Sequence, residues 1–216
     1  MECGLCGAAQ HELFYCQRRG LLSGREFWRC RSCQLIQVAP AQRLSPSEEK
    51  AIYDLHENDP DDPGYRRFLA RCLTPLQPRL QPGAKGLDFG CGPGPALASM
   101  LNSAGFPCTT YDIYYAPYPE RLRKTYDFIT CTEVIEHLAE PAVILAQLSA
   151  CLRPGGLLAL MTKRWHNLEQ FKGWSYRNDP THISFFHADS FRWLAAHWQL
   201  EIEYDQQDVV LLRKPA

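Results

Sequence analysis

Apolar and polar positions follow two different periods along this chain, and each switch of period marks an element. Leu87 to Phe89 is a short, mostly apolar run that reads as a buried strand. After a run of glycines, Ala96, Leu97, Met100 and Leu101 recur at helical spacing and predict a helix with one apolar face. "FPCTTYD" reads as a second strand ending in Asp112, and Tyr126 to Thr132 as a third that runs into a helical turn, "EVIEHL". "PAVILAQLSACLRPGG" predicts a helix opened by Pro141 and closed by Gly155. A strand "LLALMTK", a helix "HADSFRWLAAHW" and a strand pair turning at the glutamines of "LEIEYDQQDVVLLRK" follow. Upstream, apolar residues at 65, 68, 69, 72, 73 and 76 predict a helix leading into this region. Residues 39–64 are rich in proline and acid. They read as a linker holding one short helix, "PSEEKAIYDLH", capped by Ser45 or Ser47. Near the start, "LFYCQRR" and "REFWRC" read as hairpin strands joined by "GLLSG". Strands alternating with helices predict an α/β fold, a Rossmann-like sheet with helices on both faces.

Composition narrows the class. A chain of 216 residues suits one domain of ordinary size with a small appendage. Hydrophobic content of 45% and charged content of 22% are those of a soluble globular protein with a core that needs no disulfides. A net charge of -1 argues against a general nucleic-acid-binding surface, and the basic run Arg121 to Lys124 reads as a solvated face. There is no signal-peptide pattern and no apolar run of membrane-spanning length, so a cytoplasmic, reducing location is expected. The scattered Cys16, Cys72, Cys91, Cys108, Cys131 and Cys151 are then expected as small buried residues.

Four further cysteines are spaced differently. Cys3 and Cys6, then Cys30 and Cys33, form two C-x2-C knuckles across a 23-residue gap. Each knuckle can aim two thiolates at one ion, and two knuckles complete a tetrahedral zinc site. Four thiolates leave no open coordination position, so this zinc is expected to be structural, folding a segment too small to bury a core of its own.

The segment "LDFGCGPGPALASM" places a glycine loop between a strand and a helix. Pro95 breaks the dinucleotide pattern, and no G-K-[ST] follows to make a P-loop. With Asp88 ahead of the first glycine, the segment resembles the motif of class I S-adenosylmethionine-dependent methyltransferases. The resemblance implies that Asp88, Gly90, Cys91, Gly92 and Gly94 line the cofactor site, with Asp112 accepting the ribose hydroxyls and Glu133 adjoining them. It covers residues 65–216, with one departure. The thirteen residues between Asp112 and Tyr126 are too few for the helix and strand usual there, so the sheet is expected to lack a strand and no adenine-contacting acid can be named.

"CTEVIEHL" follows a strand end, where parallel sheets bind their ligands. On a helix, Glu133, Glu136 and His137 would share one face. The segment resembles that of ubiquinone-pathway O-methyltransferases and of terminal ribose methyltransferases of small RNAs, in which the two glutamates and the histidine hold a divalent ion. That resemblance implies a second metal site of Glu133, Glu136 and His137, joined by His182 of "RNDPTHISFF". Without metal, His137 or His182 is the candidate general base, and Glu133, His137 and His182 are the candidate catalytic residues. The stretch 171–186 is expected to cover the acceptor with Trp174, Tyr176, Arg177, Asp179 and His182; a packed lid turning at Asp179-Pro180 is the alternative. Its combination with an N-terminal C-x2-C pair resembles a group of bacterial methyltransferase-domain proteins.

The expected organisation is a zinc ribbon over 1–38, a linker over 39–64 and a class I methyltransferase domain over 65–216. The expected function is O-methylation of a small-molecule acceptor, which is favoured over a nucleic acid. An RNA or ribosome-modifying enzyme would dock through a basic aromatic ribbon face made by Arg18, Arg19, Arg25, Arg29 and Arg31 with Phe27 and Trp28. A non-catalytic module on the same scaffold would not bind cofactor.

Overall fold

The computed structural model describes residues 2–55 and 58–216. The chain opens with strands β1 (His11–Cys16), β2 (Glu26–Cys30) and β3 (Ile36–Val38), which pair antiparallel in that order. Helix α1 (Pro46–Tyr53) follows. Its N-cap is Ser45, whose hydroxyl accepts from the N–H of Glu48 while the Glu48 carboxylate accepts from the N–H of Ser45. The expected helix ran on to His56, which lies outside the described residues together with Glu57. Helix α2 (Pro63–Leu76) is capped by Asp62 and buries Leu69, Cys72, Leu73 and Leu76, the apolar stripe read from the sequence.

The main sheet alternates strand and helix as expected: β4 (Gly86–Phe89), α3 (Ala96–Ser103), β5 (Cys108–Tyr111), β6 (Tyr126–Thr132), α4 (Pro141–Cys151) and β7 (Leu152–Met161). Then come α5 (Leu168–Gly173), β8 (Ser184–Phe185), α6 (Ala188–His197), β9 (Glu201–Gln206) and β10 (Val209–Arg213). The strand order is β5-β4-β6-β7-β10-β9. The first four strands run parallel, and β10 lies antiparallel to both β7 and β9. Between Asp112 and Tyr126 stands only a 3-10 turn at Pro119–Arg123, so β5 forms the sheet edge and the extra strand is absent among the described residues.

Strand β7 sorts its side chains by parity. Leu157, Ala159 and Met161 enter the core under α2 and α3, while Leu158 and Leu160 enter the core under α4 and α6. The second core also takes in Cys3, Leu5, Cys30, Cys33 and Leu35 from the N-terminal module. A third, aromatic core joins Phe27 of β2 to Phe171, Phe185 and Trp165. Strand β3 pairs with β8, Ile36 against Phe185, so the small sheet draws its fourth strand from far along the chain.

Two expectations are corrected. Helix α4 stops at Cys151, and Gly155 sits inside β7 at φ 76. The reason is Pro154, whose ring pushes the preceding residue out of the helical region, while buried Leu152 pairs with Tyr126. The "EVIEHL" turn is not α-helical. Glu133 is left-handed at φ 52, and only Ile135–His137 coil, as a 3-10 turn.

Candidate functional site

The four N-terminal cysteines meet in one cluster. Cys3 Sγ lies 3.5 Å from Cys33 Sγ, and Cys6 Sγ lies 3.4 Å from Cys30 Sγ. All four sulfurs fall within 4.8 Å of one another. Tetrahedral zinc with bonds of about 2.3 Å sets its sulfurs about 3.8 Å apart, so the donor set and its size fit that ion. None of the ten cysteines is in a disulfide, and Cys72, Cys91, Cys131 and Cys151 are buried. Of the basic aromatic face that docking would use, Arg18, Arg19 and Arg31 are exposed and Trp28 is half-buried. Arg25 and Phe27 are buried, and Arg29 and Arg31 both pair with Glu12.

At the carboxyl ends of β4, β5 and β6 opens a cavity of about 560 Å3. Its wall includes Asp88, Gly90, Cys91, Gly92, Asp112 and Glu133. Gly90 and Gly92 stand at φ 73 and 63, and a Cβ on Gly90 would lie 2.3 Å from Val134. Gly94 does not line the wall. It is where the Asn58 carbonyl crosses, 1.8 Å from the position of a would-be Cβ. Asp112 is held by backbone donors: its Oδ2 accepts from Gly92 N–H at 3.0 Å, its Oδ1 from Tyr114 and Tyr115 N–H at 2.8 and 3.1 Å. Asp88 accepts from the Thr130 hydroxyl at 2.8 Å, and burial pushes its pKa up to about 6.

Sequence reasoning missed part of this wall. Glu49, Tyr53 and Asn58 reach it from the stretch read as linker, and Tyr65 from α2. Tyr65 stood on the apolar stripe of its helix, so its place on an inner face was signalled; Asn58 carried no local signal. Apolar Ile113, Leu122, Val134 and Ile144 complete the wall. Among the described residues, the carboxyl and imidazole groups of the lining are Glu49, Asp88, Asp112, Glu133 and Asp179 with His137 and His182, and neither lysine nor arginine joins it.

The glutamates and histidines divide. Glu136, His137 and His182 bring one ligand atom each within 4.8 Å of one another, and Glu133 is not in this group. The left-handed twist at Glu133 turns it from the face that an α-helix would share with the other two. Instead the Tyr176 hydroxyl lies between the carboxylates, 3.2 Å from Glu133 Oε2 and bonded to Glu136 Oε1. The other oxygens, Glu133 Oε1 and Glu136 Oε2, are buried without a hydrogen-bond partner. Burial, reinforced at Glu133 by the neighbouring Glu136, pushes Glu133 up to about 8; burial also pushes Glu136 up to about 7.

His137 Nδ1 faces the carbonyl of Thr181 at 3.1 Å, and His182 Nδ1 that of Tyr176 at 2.8 Å. A carbonyl only accepts, so both Nδ1 atoms donate and the lone pair of each neutral ring sits on Nε2. The ring centroids are 4.7 Å apart. Burial and the nearby His137 hold His182 down to about 4, neutral at ordinary pH. Two imidazoles, each with its Nε2 lone pair available once the ring is deprotonated, and a carboxylate oxygen lacking a partner are a donor set that a divalent cation fits.

The 171–186 stretch is also divided. Asp179 and His182 line the cavity; Trp174, Tyr176 and Arg177 do not. Trp174 packs on Phe171, Tyr176 and Phe185, and Arg177 is buried with bonds to Phe171 O, Lys172 O and Gln17 Oε1. Asp179 Oδ1 caps the turn by accepting from Thr181 N–H at 2.9 Å. An acceptor wall of Trp174, Tyr176 and Arg177 is therefore corrected: they form the packing behind the wall.

A parallel-sheet core with this strand order, and a cavity begun by an acid-led glycine loop, defines the class I S-adenosylmethionine-dependent methyltransferase fold. The chain belongs to the methyltransferase-domain family, whose profile matches residues 62–204. Its curated relatives include ubiquinone biosynthesis O-methyltransferases. That of Proteus mirabilis is 31% identical over 88 residues, covering 39% of this chain and 34% of the relative. That of Xanthomonas axonopodis is 30% identical over 115 residues, covering 42% and 48%. The chain thus spans between a third and a half of the length of these relatives. Among solved structures, the Burkholderia thailandensis 1,6-didemethyltoxoflavin-N1-methyltransferase, with bound 1,6-didemethyltoxoflavin and S-adenosylhomocysteine, superposes with a TM-score of 0.60 at 16% identity. The match covers 92% of this chain and 99% of that one. A methyltransferase from Archaeoglobus fulgidus gives 0.55 at 15% identity over 69% of this chain and 94% of its own. These likenesses show a shared fold. Among the described residues, no helix is long and apolar enough to cross a membrane.

Proposed function

We propose that this chain transfers a methyl group from S-adenosylmethionine to a hydroxyl of a small-molecule acceptor. The observation that carries the reading is the continuity of one cavity, from the glycine loop to His137 and His182. S-adenosylmethionine supplies a sulfonium-bound methyl group. Gly90 and Gly92 let the backbone approach the cofactor, and Asp112, fixed by three N–H donors, offers its remaining lone pairs to a ribose diol. The cavity wall aligns the acceptor oxygen with the methyl carbon, and positioning of this kind is the main demand of an in-line transfer. As the carbon–oxygen bond forms and the carbon–sulfur bond breaks, the hydroxyl proton passes to an imidazole Nε2, leaving S-adenosylhomocysteine and the methyl ether. In place of that base role, Glu136, His137 and His182 would hold a divalent ion through the same Nε2 lone pairs, and such an ion lowers the pKa of a hydroxyl that it binds. Cys3, Cys6, Cys30 and Cys33 would hold a structural zinc.

The charge of the lining also restricts the acceptor. A phosphate or carboxylate beyond the reach of that divalent ion would face Glu49 and Asp179 with no lysine or arginine among the described wall residues to meet it. The acceptor is a neutral or cationic hydroxyl compound. The test has two arms. Calorimetry should show wild type binding S-adenosylhomocysteine, and no binding would sink the enzyme reading. Methyl transfer from labelled cofactor to neutral, ammonium-bearing and carboxylate-bearing catechols should then favour the first two, and preference for the carboxylate would overturn the charge restriction.

A further inference from the structure

Arg25 stands at the entrance to β2 and is only 4% exposed. Its guanidinium makes no contact with the cavity. It donates instead to three carbonyls of a single turn: Nη1 to Asp179 O at 3.0 Å, and Nη2 to Pro180 O and His182 O, both at 2.9 Å. That turn carries both side chains that the 171–186 stretch sends into the cavity, Asp179 and His182. A planar fork of donors fixes the orientation of what it binds, which a point charge does not. Residues immediately after the turn are gripped as well. Val38 N–H donates to Ile183 O at 2.9 Å, and β3 pairs with β8. On its other side the same strap meets the Glu136 turn: Ile183 N–H donates to Glu136 O at 2.8 Å, and the Ser184 hydroxyl to Leu138 O at 2.7 Å. The strap is therefore clasped between the cysteine module and the turn that bears Glu136 and His137. At the far end of β2 lies Cys30, one of the four clustered thiols, so the cluster and Arg25 anchor the two ends of one strand.

We propose that Arg25 is a positioning residue for the acceptor side of the site, and that the N-terminal module acts as a brace setting His182 and Asp179 against Glu136 and His137. The module is then a working part of the methyl-transfer site. This rests on the reading of the His137–His182 end of the cavity as the acceptor side, but the bracing itself can be measured without an acceptor.

The experiment is hydrogen exchange with mass-spectrometric readout on the full chain, for wild type, Arg25→Met and Arg25→Lys, alongside calorimetry with S-adenosylhomocysteine. In Arg25→Met, peptides spanning 179–185 should exchange about tenfold faster or more. Peptides of β6 and β7 should stay within about twofold, as should the affinity for S-adenosylhomocysteine. Arg25→Lys, which keeps a donor without the fork, should recover part of the lost protection. The proposal fails if the strap exchanges at the wild-type rate in Arg25→Met. It also fails if exchange accelerates everywhere and product binding is lost, since Arg25 would then support the fold at large. If Arg25→Met does not fold, Arg25→Lys decides: a strap about threefold faster with binding retained supports the brace, and a wild-type strap overturns it. Wild type failing to bind S-adenosylhomocysteine while the strap responds as expected would sink the enzyme reading and leave the brace standing.

Discussion

Among the described residues stand two clusters with metal-ligating chemistry, and they are built on opposite principles. The cysteine cluster has four donors, all from two short knuckles, with three of its four members buried in a hydrophobic core. The Glu136–His137–His182 cluster has three donors from two distant segments, and its histidines line a cavity. Four thiolates saturate a tetrahedral ion and leave it nothing to do but hold the chain together. Three donors beside a cavity leave room for a substrate atom. Local spacing can encode the first kind of site, whereas only the finished fold assembles the second.

The comparison can be broken most forcefully at the cysteines. Structural zinc contributes on the order of 10 kcal/mol to folding small modules. Cys30→Ser should therefore abolish zinc retention in elemental analysis and release amide protection across 2–38. Wild type carrying no zinc after purification in zinc-supplied medium would remove that half of the contrast. Next in size are the glycine loop substitutions. Gly94→Ala drives a methyl into the Asn58 carbonyl, and a loss of about a hundredfold in S-adenosylhomocysteine affinity is expected, about 3 kcal/mol by calorimetry. Gly92→Ala, at φ 63, should cost about 1–2 kcal/mol in the same measurement, and unchanged affinity in both variants would detach the loop from the cofactor.

The open cluster comes third. Glu136→Gln removes the anionic donor while keeping its shape, and affinity for Mn2+ by electron paramagnetic resonance should drop at least about tenfold with product binding unaffected. Equal Mn2+ behaviour in variant and wild type would remove the metal from this cluster and leave the histidines as bases. The last effect is one of stability and concerns Asp88, whose pKa burial raises from 3.8 to about 6. The folded state then binds its proton more tightly than the unfolded one, so stability is lost as pH rises between those values. Asp88→Asn should match wild type near pH 3.5 and exceed it by about 2–3 kcal/mol at pH 7 in denaturant titrations. A difference that stays flat with pH would show that the carboxyl is not strained by its burial.

What could be read from the sequence follows the same division. The knuckles, the glycine loop and Asp112 declare themselves because each is contiguous and each residue type has one reason to be there. The missing strand was legible for the same reason, since thirteen residues cannot hold a helix and a strand. The Glu136–His137–His182 cluster was legible in its three members, but the sequence added Glu133 to them. Nothing in "TEVIEHL" announces that Glu133 turns left-handed, and that single backbone choice separates it from Glu136 and His137. Gly155 misled because a helix-stopping glycine and a strand glycine look alike until Pro154 is weighed. Asn58, Tyr53 and Arg25 were illegible because their roles lie wholly in what the fold sets beside them.

The pairing of β3 with β8 has a consequence for the birth of the molecule. Synthesis delivers the cysteine module about 150 residues before its fourth strand, since Ile36 must wait for Phe185. Until then β3 is an unpaired edge beside a finished hairpin, the kind of surface that recruits the wrong neighbour. Closing so distant a contact is among the slower steps open to a chain of this size. On the ribosome, the four cysteines of the nascent module can meet early, yet the site that it braces comes into being only after Phe185 has emerged.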